Sequence, residues 1–462
     1  MEKIVALCKR RGFVFPSSEI YGGLANAYDY GPYGAELLRN IRNLWWSTFI
    51  HKHQDMKGID TQIILHPETW VASGHVASLV DFLVEDTVTH MRYRADHLIE
   101  DWLKKPKNAE KIKTSVVVEN MSMVEMAEFI HTHSVKSPQG NVLTDPKKFN
   151  LLFETSLGTV ADNKAVAYLR GETAQGIFTN FKNILDTQRV KLPFGIGQIG
   201  KSFRNEITSG QFVFRTFEFE QAEIEYFFDP EVVDWNILLE QWKKDMWRFV
   251  TEFLGISSDN LRWRRHTDKE RSHYSKDTYD LDYKFPFGWK ELWGVAYRTD
   301  YDLKQHTAHS GANLVWKNNE TGKVFTPHVI EPALGINRAF FMVLNDAYHE
   351  EEVEGKVRTY LKLHPSLAPV KIAVFPLQKD DTLKQRALEV FQTLQQRYVV
   401  ELDDAGNIGK MYRRQDEIGT PFCVTVDFQT NEDNSVTVRA RDTMEQSRVP
   451  ISDLEAYFFE RL

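Results

Sequence analysis

The run FVFRTFEFEQAEIEYFF, from Phe212 to Phe228, constrains this chain more than any other stretch. It alternates closely enough to predict one long strand, because side chains on an extended backbone point to opposite faces in turn. Counting by two from Arg215 puts Phe217, Phe219, Gln221, Glu223 and Glu225 on one face, and Glu218, Glu220, Ala222, Ile224 and Tyr226 on the other. Neither face is cleanly apolar, so the spacing predicts an organised polar site on a sheet rather than a plain core strand.

Just upstream, Gly195-Ile196-Gly197-Gln198-Ile199-Gly200-Lys201-Ser202 satisfies two phosphate-binding patterns at once, G-x-x-x-x-G-K-S and G-x-G-x-x-G. Both mechanisms need a strand before the glycines and a helix after them, since the helix N-terminus binds the phosphate. Here Pro193 precedes and β-patterned residues follow. The segment therefore reads as the first strand of an antiparallel hairpin that turns at Ser209-Gly210-Gln211. Arg204 closes that strand and Arg215 stands near the start of the next, so two arginines face each other across the turn and call for anions. Farther on, Ile330-Glu331-Pro332-Ala333-Leu334-Gly335-Ile336-Asn337-Arg338 predicts a strand leading into an apolar helix with an arginine in its first turn.

At 462 residues the chain has room for two to four domains. Apolar runs such as Ile372 to Leu377 are far shorter than the roughly 18 residues a membrane span requires. Ile4 to Cys8 followed by Lys9-Arg10-Arg11 inverts the charge order of a secretory signal. Cytoplasmic residence without a membrane partner is the expectation. Two cysteines, Cys8 and Cys423, cannot build a disulfide framework or a Cys-rich zinc site and read as small hydrophobes. A net charge of −8 argues against indiscriminate coating of nucleic acid while leaving room for a local basic face.

Residues 34 to about 49 have helical spacing with one broad apolar face, fit either to lie under a sheet or to seal a subunit interface. From about 75 to 150 the chain turns polar and uneven, with lysines from Lys104 to Lys113, and reads as an insertion. The final hundred residues alternate strands (Ile372 to Leu377, Val399, Phe422 to Phe428, Val436 to Arg439) with a helix over Thr382 to Arg397, which predicts a compact α/β unit.

These motifs resemble the class II aminoacyl-tRNA synthetases and, within them, the homodimeric glycyl-tRNA synthetases. The likeness runs through EIYGGL, YDYGPYG, YLRGETAQGIF at 168 to 178, FRNEI, FRTFEFEQAEIEYF, IEPALGINR, GTPFCVTVD and RDTMEQ. It implies an α+β catalytic domain over 1–363, an antiparallel sheet flanked by helices and carrying the insertion, and an α/β anticodon-binding domain over 364–462. It also implies ATP-dependent charging of tRNA(Gly) with glycine by a homodimer, the 34–49 helix matching the dimer-forming first motif. Magnesium accompanies ATP, and zinc is not expected. A noncatalytic synthetase relative and a class II enzyme relaxed toward other small amino acids are the alternatives.

By the same resemblance Arg204 and Arg338 are catalytic. Arg204 would hold the α-phosphate and the glycine carboxylate, Arg215 the γ-phosphate, and Glu206 the adenine amino group. Arg338 and Phe219 would sandwich the adenine, and Glu291 would be the magnesium carboxylate. Asn205, Phe214, Thr216, Phe217, Glu218, Leu292, Gly335, Ile336 and Asn337 complete the expected ATP set. Glycine would meet Glu172, Glu223 and Glu331, which hold its ammonium and leave no volume for a side chain. Arg94, Phe219, Glu220, Gln221, Ala222, Pro332, Ala333, Leu334 and Gly335 would stand around them. The chain departs from the family pattern at Gly171 (usually proline), Ser209-Gly210 (Pro-Arg), Phe217 (arginine) and Ala333 (serine). Lys410, Arg413, Arg414, Arg439 and Arg441 are the expected basic contacts of the C-terminal domain with RNA.

Overall fold

In the computed structural model the main sheet has seven strands, in the order Leu261–Arg265, Asp277–Phe285, Gly288–Thr299, His328–Gly335, Glu218–Phe228, Phe194–Phe203 and Met56–Gly58. All neighbours are antiparallel except Met56–Gly58, which runs parallel to Phe194–Phe203 at the edge. The structure describes residues 1–109, 118, 121–158, 165–207, 211–268, 270–272, 274–318 and 320–462. The turn at Ser209-Gly210, and Lys111 and Lys113 of the lysine-rich stretch, therefore lie outside the described residues. Among the described residues no helix is long and apolar enough to cross a membrane.

The glycine-rich segment 195–202 lies inside the Phe194–Phe203 strand and pairs residue by residue with Glu218–Phe228, so it forms a hairpin arm and no phosphate loop. The strand after it is shorter than its alternation predicts. Phe212, Val213 and Phe214 form a 3-10 turn, and the strand begins at Glu218. All three are buried in one core, which a two-faced strand cannot do with consecutive residues, and Phe212 sits in the left-handed region at φ 53°.

The apolar face of the sheet is covered by the helices Pro32–Trp46, Ile336–Ala347 and Trp235–Arg248. Pro32 starts the first of these, where its missing N–H costs nothing. Leu37, Leu38, Ile41 and Trp45 from this helix, with Phe49 from the π-turn that follows, are all buried against the sheet. Their burial, at about 1.5–3 kcal/mol each, explains the broad apolar face within the chain itself.

Residues 80–150 carry a three-stranded sheet, Arg92–Arg94, Val80–Glu85 and Lys147–Asn150, with the helices Ala95–Leu103 and Met123–His133. Val84, Ile99, Met126, Phe129 and Ile130 give this insertion a core of its own. Lys104 is exposed and pairs with Glu100 and Asp101 on its own helix.

The last five strands form a separate sheet in the order Val400–Leu402, Ile372–Pro376, Phe422–Val426, Ser435–Ala440 and Gln446–Pro450. The first three run parallel, as βαβ crossovers require, and the last two add as a meander. Helix Asp381–Leu394 begins where Asp380 caps the N–H groups of Thr382 and Leu383. Two expected RNA contacts are placed otherwise: Arg439 and Arg441 are buried. Arg439 pairs with Asp416, and Arg441 donates to the carbonyls of Gly419 and Leu363. Arg414 is held by Asp403, while Lys410 and Arg413 remain exposed on the helix Ile408–Ile418. Cys8 and Cys423 are free and buried.

Candidate active site

Sheet register builds the site. Gln198, Glu223, Ala333, Gly294 and Asp280 are partners in one row across five adjacent strands. Along the two central strands the period of two sends Phe219, Gln221 and Glu223, and Glu331, Ala333 and Gly335, to the same side. They border a cavity of about 340 Å³.

Guanidinium groups gather at one end of this cavity. Arg204 stands 5.4 Å from the ring centroid of Phe219 and donates to the Gly171 carbonyl at 3.0 Å. Arg338 lies 4.5 Å over the Phe214 ring and 3.1 Å from the Glu291 carboxylate. Arg215 is 3.9 Å from Glu206, and its Nε is buried without a hydrogen-bond partner. Three permanently charged side chains with spare donors make an anion site.

Carboxylates gather at the other end. Glu172, Glu223 and Glu331 border the cavity and are buried. Glu223 accepts from the backbone N–H and hydroxyl of Thr173 and, at 2.8 Å, from Gln221. Glu172 accepts from Gln175 at 2.9 Å and lies 3.1 Å from His75 Nε2. Burial works to raise the Glu172 carboxyl, but His75, Arg298 and Gln175 hold it below the usual carboxylate range. Glu331 behaves oppositely: burial pushes it up to about 8, only partly opposed by Arg298. Glu223 is also raised, by burial and by the Glu172 charge. The pocket therefore keeps Glu172 ionised beside two carboxyl groups that burial biases toward their protonated form, and a ligand ammonium would favour their ionisation.

Arg298 organises this end, and sequence reasoning missed it. Its guanidinium donates to both oxygens of Asp302 at 2.8 Å and to Glu331 at 2.7 Å, stands 3.9 Å from Glu172, and lies 3.9 Å over the Tyr274 ring. The signal available was slight, an Arg and an Asp four apart where a strand meets a helix. Asp280 and His266 were missed as well. Asp280 accepts from His266 at 2.8 Å and from Arg264 through one oxygen, leaving the other toward Gly294.

Of the expected ATP and glycine residues, Arg204, Glu206, Phe214, Arg215, Thr216, Phe219, Glu291, Gly335, Asn337, Arg338, Glu172, Gln221, Glu223, Glu331 and Ala333 border the cavity. Glu220 borders it too, but its carboxylate is held by Arg42. Others lie elsewhere. Ala222, Pro332 and Leu334 fall on the opposite face by the period of two, and Leu292 and Ile336 are packed in the core. Phe217 packs edge-on to Phe153, and Glu218 is exposed and paired with Lys201. The backbone of Asn205 donates to Leu151, and its side chain does not reach the cavity. Arg94 pairs with Asp81 at 3.1 Å and with Asp96, away from the acid pocket but close enough to Arg215 and Glu206 to feel their charge.

Comparison with known proteins places the chain in a family. Residues 371–461 match a family described as an anticodon binding domain. The glycine–tRNA ligase of Caldanaerobacter subterraneus subsp. tengcongensis is 51% identical, covering 100% of this chain and 98% of its own. The glycine–tRNA ligases of Alkaliphilus metalliredigens and Staphylococcus haemolyticus are 49% and 48% identical over 100% of this chain and 98% and 99% of theirs. The chain belongs to the glycine–tRNA ligase family. A solved prolyl-tRNA synthetase from Cryptosporidium parvum, described as complexed with L-proline and AMP, has a TM-score of 0.62 at 13% identity over 99% of this chain and 76% of that one. It shows the class II synthetase fold for this glycine–tRNA ligase family member.

Proposed function

We propose that this chain activates glycine with ATP and transfers it to the 3′ end of tRNA(Gly). The observation that carries the reading is one continuous cavity bordered by two groupings, Arg204, Arg215 and Arg338 with Glu206 and Glu291 among them, and Glu172, Glu223 and Glu331 with Arg298 beside them. A zwitterion with no side chain fits between them, its carboxylate toward the arginines and its ammonium toward the acids. ATP extends along the arginine end, with Arg204 on the α-phosphate and Arg215 on the γ-phosphate. Arg338 and Phe219 flank the adenine, and Glu206 accepts its amino group. The glycine carboxylate attacks the α-phosphorus, pyrophosphate leaves, and the chain supplies alignment and charge neutralisation without a protein nucleophile. Arg204, reaching both the carboxylate and the phosphorus it attacks, stabilises the charge that builds there.

Selection against larger amino acids follows from the wall. Ala333 is the register partner of both Glu223 and Gly294, so a substrate side chain would enter among buried carboxylates and leave them poorly paired. Glu291, with Asp280 across Gly294, suits a hard divalent cation such as magnesium. Asp280 Oδ1 and Glu291 Oε1 lie 3.7 and 3.9 Å from the point a Cβ on Gly294 would occupy, so the missing side chain leaves the gap open. When bound with ATP, the ion neutralises phosphate charge. The 364–462 segment reads the anticodon, with Lys410 and Arg413 as its exposed basic side chains. We read the protein as a cytoplasmic homodimer, on the likeness of its opening segment to the homodimeric type; sedimentation velocity showing a monomer at micromolar concentration would reject that.

Amino-acid-dependent exchange of labelled pyrophosphate into ATP tests the activity. Exchange with glycine, absent in Arg338→Ala, is the expected result, followed by charging of tRNA(Gly). Equal exchange with alanine would mean that Ala333 leaves the pocket too open, and no exchange with any amino acid would refute the reading.

A further inference from the structure

Behind Glu172 lies a side chain that the chemistry described so far does not use. His75 is buried, at 8% exposure, and its Nε2 stands 3.1 Å from Glu172 Oε2. Its other ring nitrogen is 2.7 Å from the hydroxyl of Ser73, and its ring meets the fully buried Trp70 edge-on at 5.4 Å. A carboxylate can only accept, so a hydrogen bond across this contact requires the proton on Nε2. Gly74, at φ 83°, takes the left-handed turn that starts the His75–Ser78 helix and aims the ring inward; a side chain there would be strained.

Glu172 needs such a partner. It faces two further carboxylates, Glu223 and Glu331, across the cavity, and the guanidinium of Arg298 is committed at 2.7–2.8 Å to Asp302 and Glu331 while standing 3.9 Å from Glu172. The close donors to Glu172 are Gln175 on one oxygen and His75 on the other. Gln175 is itself fixed from behind by Asp302 and His306. With one partner on each oxygen, the Glu172 carboxylate is fixed in place on the cavity wall.

We propose that His75 is a positioning residue for the amino-acid pocket: it locks the Glu172 carboxylate in the orientation that receives the substrate ammonium, and so sets affinity for glycine without touching substrate. This rests on the acid-pocket reading above and extends it to a residue in the 67–78 segment that leads into the insertion.

Steady-state pyrophosphate exchange separates the two. Glu172→Gln tests the pocket, and His75→Ala, His75→Gln and Ser73→Ala test the positioning. His75→Ala is expected to raise the Michaelis constant for glycine about tenfold, with that for ATP and kcat within about twofold. His75→Gln, whose amide nitrogen can occupy the place of Nε2, recovers most of the loss, and Ser73→Ala produces a smaller rise than His75→Ala. If Glu172→Gln raises the glycine constant while His75→Ala leaves it unchanged, the positioning role is wrong and the pocket stands. If Glu172→Gln also leaves it unchanged, the pocket reading itself has failed. A proportional loss in glycine, ATP and kcat terms with no rescue by His75→Gln would show a merely structural histidine and overturn the proposal.

Discussion

Arg42 holds Glu220 through two nitrogens, Nε at 2.7 Å and Nη2 at 2.9 Å, so the helix beneath the sheet is clamped to the strand that bears the site. The same Glu220 donates its backbone N–H to Asn337 at 2.7 Å, and Asn337 in turn bonds Tyr30. Arg42→Ala strands a nearly buried carboxylate and should cost about 2 kcal/mol, read as a lowered melting temperature. No change in melting would mean that the pair is solvated and contributes nothing.

Glu331 titrates where an assay can reach it. Burial raises its carboxyl from 4.5 to about 8, with Arg298 opposing and Glu223 and Glu172 reinforcing. A substrate ammonium prefers the ionised form, so below that value it must displace a proton. The Michaelis constant for glycine should therefore fall by up to about tenfold per pH unit as pH rises toward 8, then level off. Glu331→Gln should flatten the profile. Stability has the opposite sign: the native state keeps a proton that the unfolded chain has released, so this group's contribution declines as pH rises from 4.5 to about 8. A glycine constant independent of pH over that span would count against ammonium capture here.

Gly294→Ala addresses the metal. The new methyl would meet Asp280 Oδ1 at 3.7 Å and Glu291 Oε1 at 3.9 Å, ordinary contact distances, so folding should be untouched. It would nevertheless fill the gap between the two carboxylates. The magnesium concentration for half-maximal exchange should rise severalfold with an unchanged melting curve; an unchanged magnesium requirement would remove Asp280 from the ion's surroundings.

Asp416 accepts from Arg358 at 2.8 Å and from Arg439 at 3.0 and 3.2 Å, and all three are buried. Asp416→Ala leaves two buried guanidiniums without this partner and should cost about 3–5 kcal/mol. Calorimetry should show the loss, and a cost below about 1 kcal/mol would mean that water enters and replaces the carboxylate.

Much of the site was legible because it follows a local rule. Phe219, Gln221 and Glu223 share a face by alternation, and that alone marked a polar site on a sheet. The rejected phosphate loop was legible too, since the flanking residues favoured a strand. Long-range pairings were not. Nothing near Arg439 or Arg441 in the chain announces Asp416 or the Leu363 carbonyl, so two buried arginines read as exposed ones. Arg298 was missed for the same reason, its partners Glu331 and Glu172 being distant in sequence. The 3-10 turn at Phe212–Phe214 departs from the expected strand because consecutive apolar residues satisfy a strand pattern as readily as a turn buried on all sides.

Val80 and Asn150 are register partners at the base of the small sheet, and the Leu151 N–H donates to the Leu79 carbonyl at 2.9 Å. The chain thus enters and leaves the 80–150 segment side by side, through a hydrogen-bonded doorway. A unit whose two ends meet side by side, with a core of its own, can be lengthened, trimmed or exchanged without rerouting the strands of the main sheet. For an engineer this is a port: a place where a reporter or a regulatory module could be grafted next to the arginine end of the cleft while the catalytic frame keeps its register.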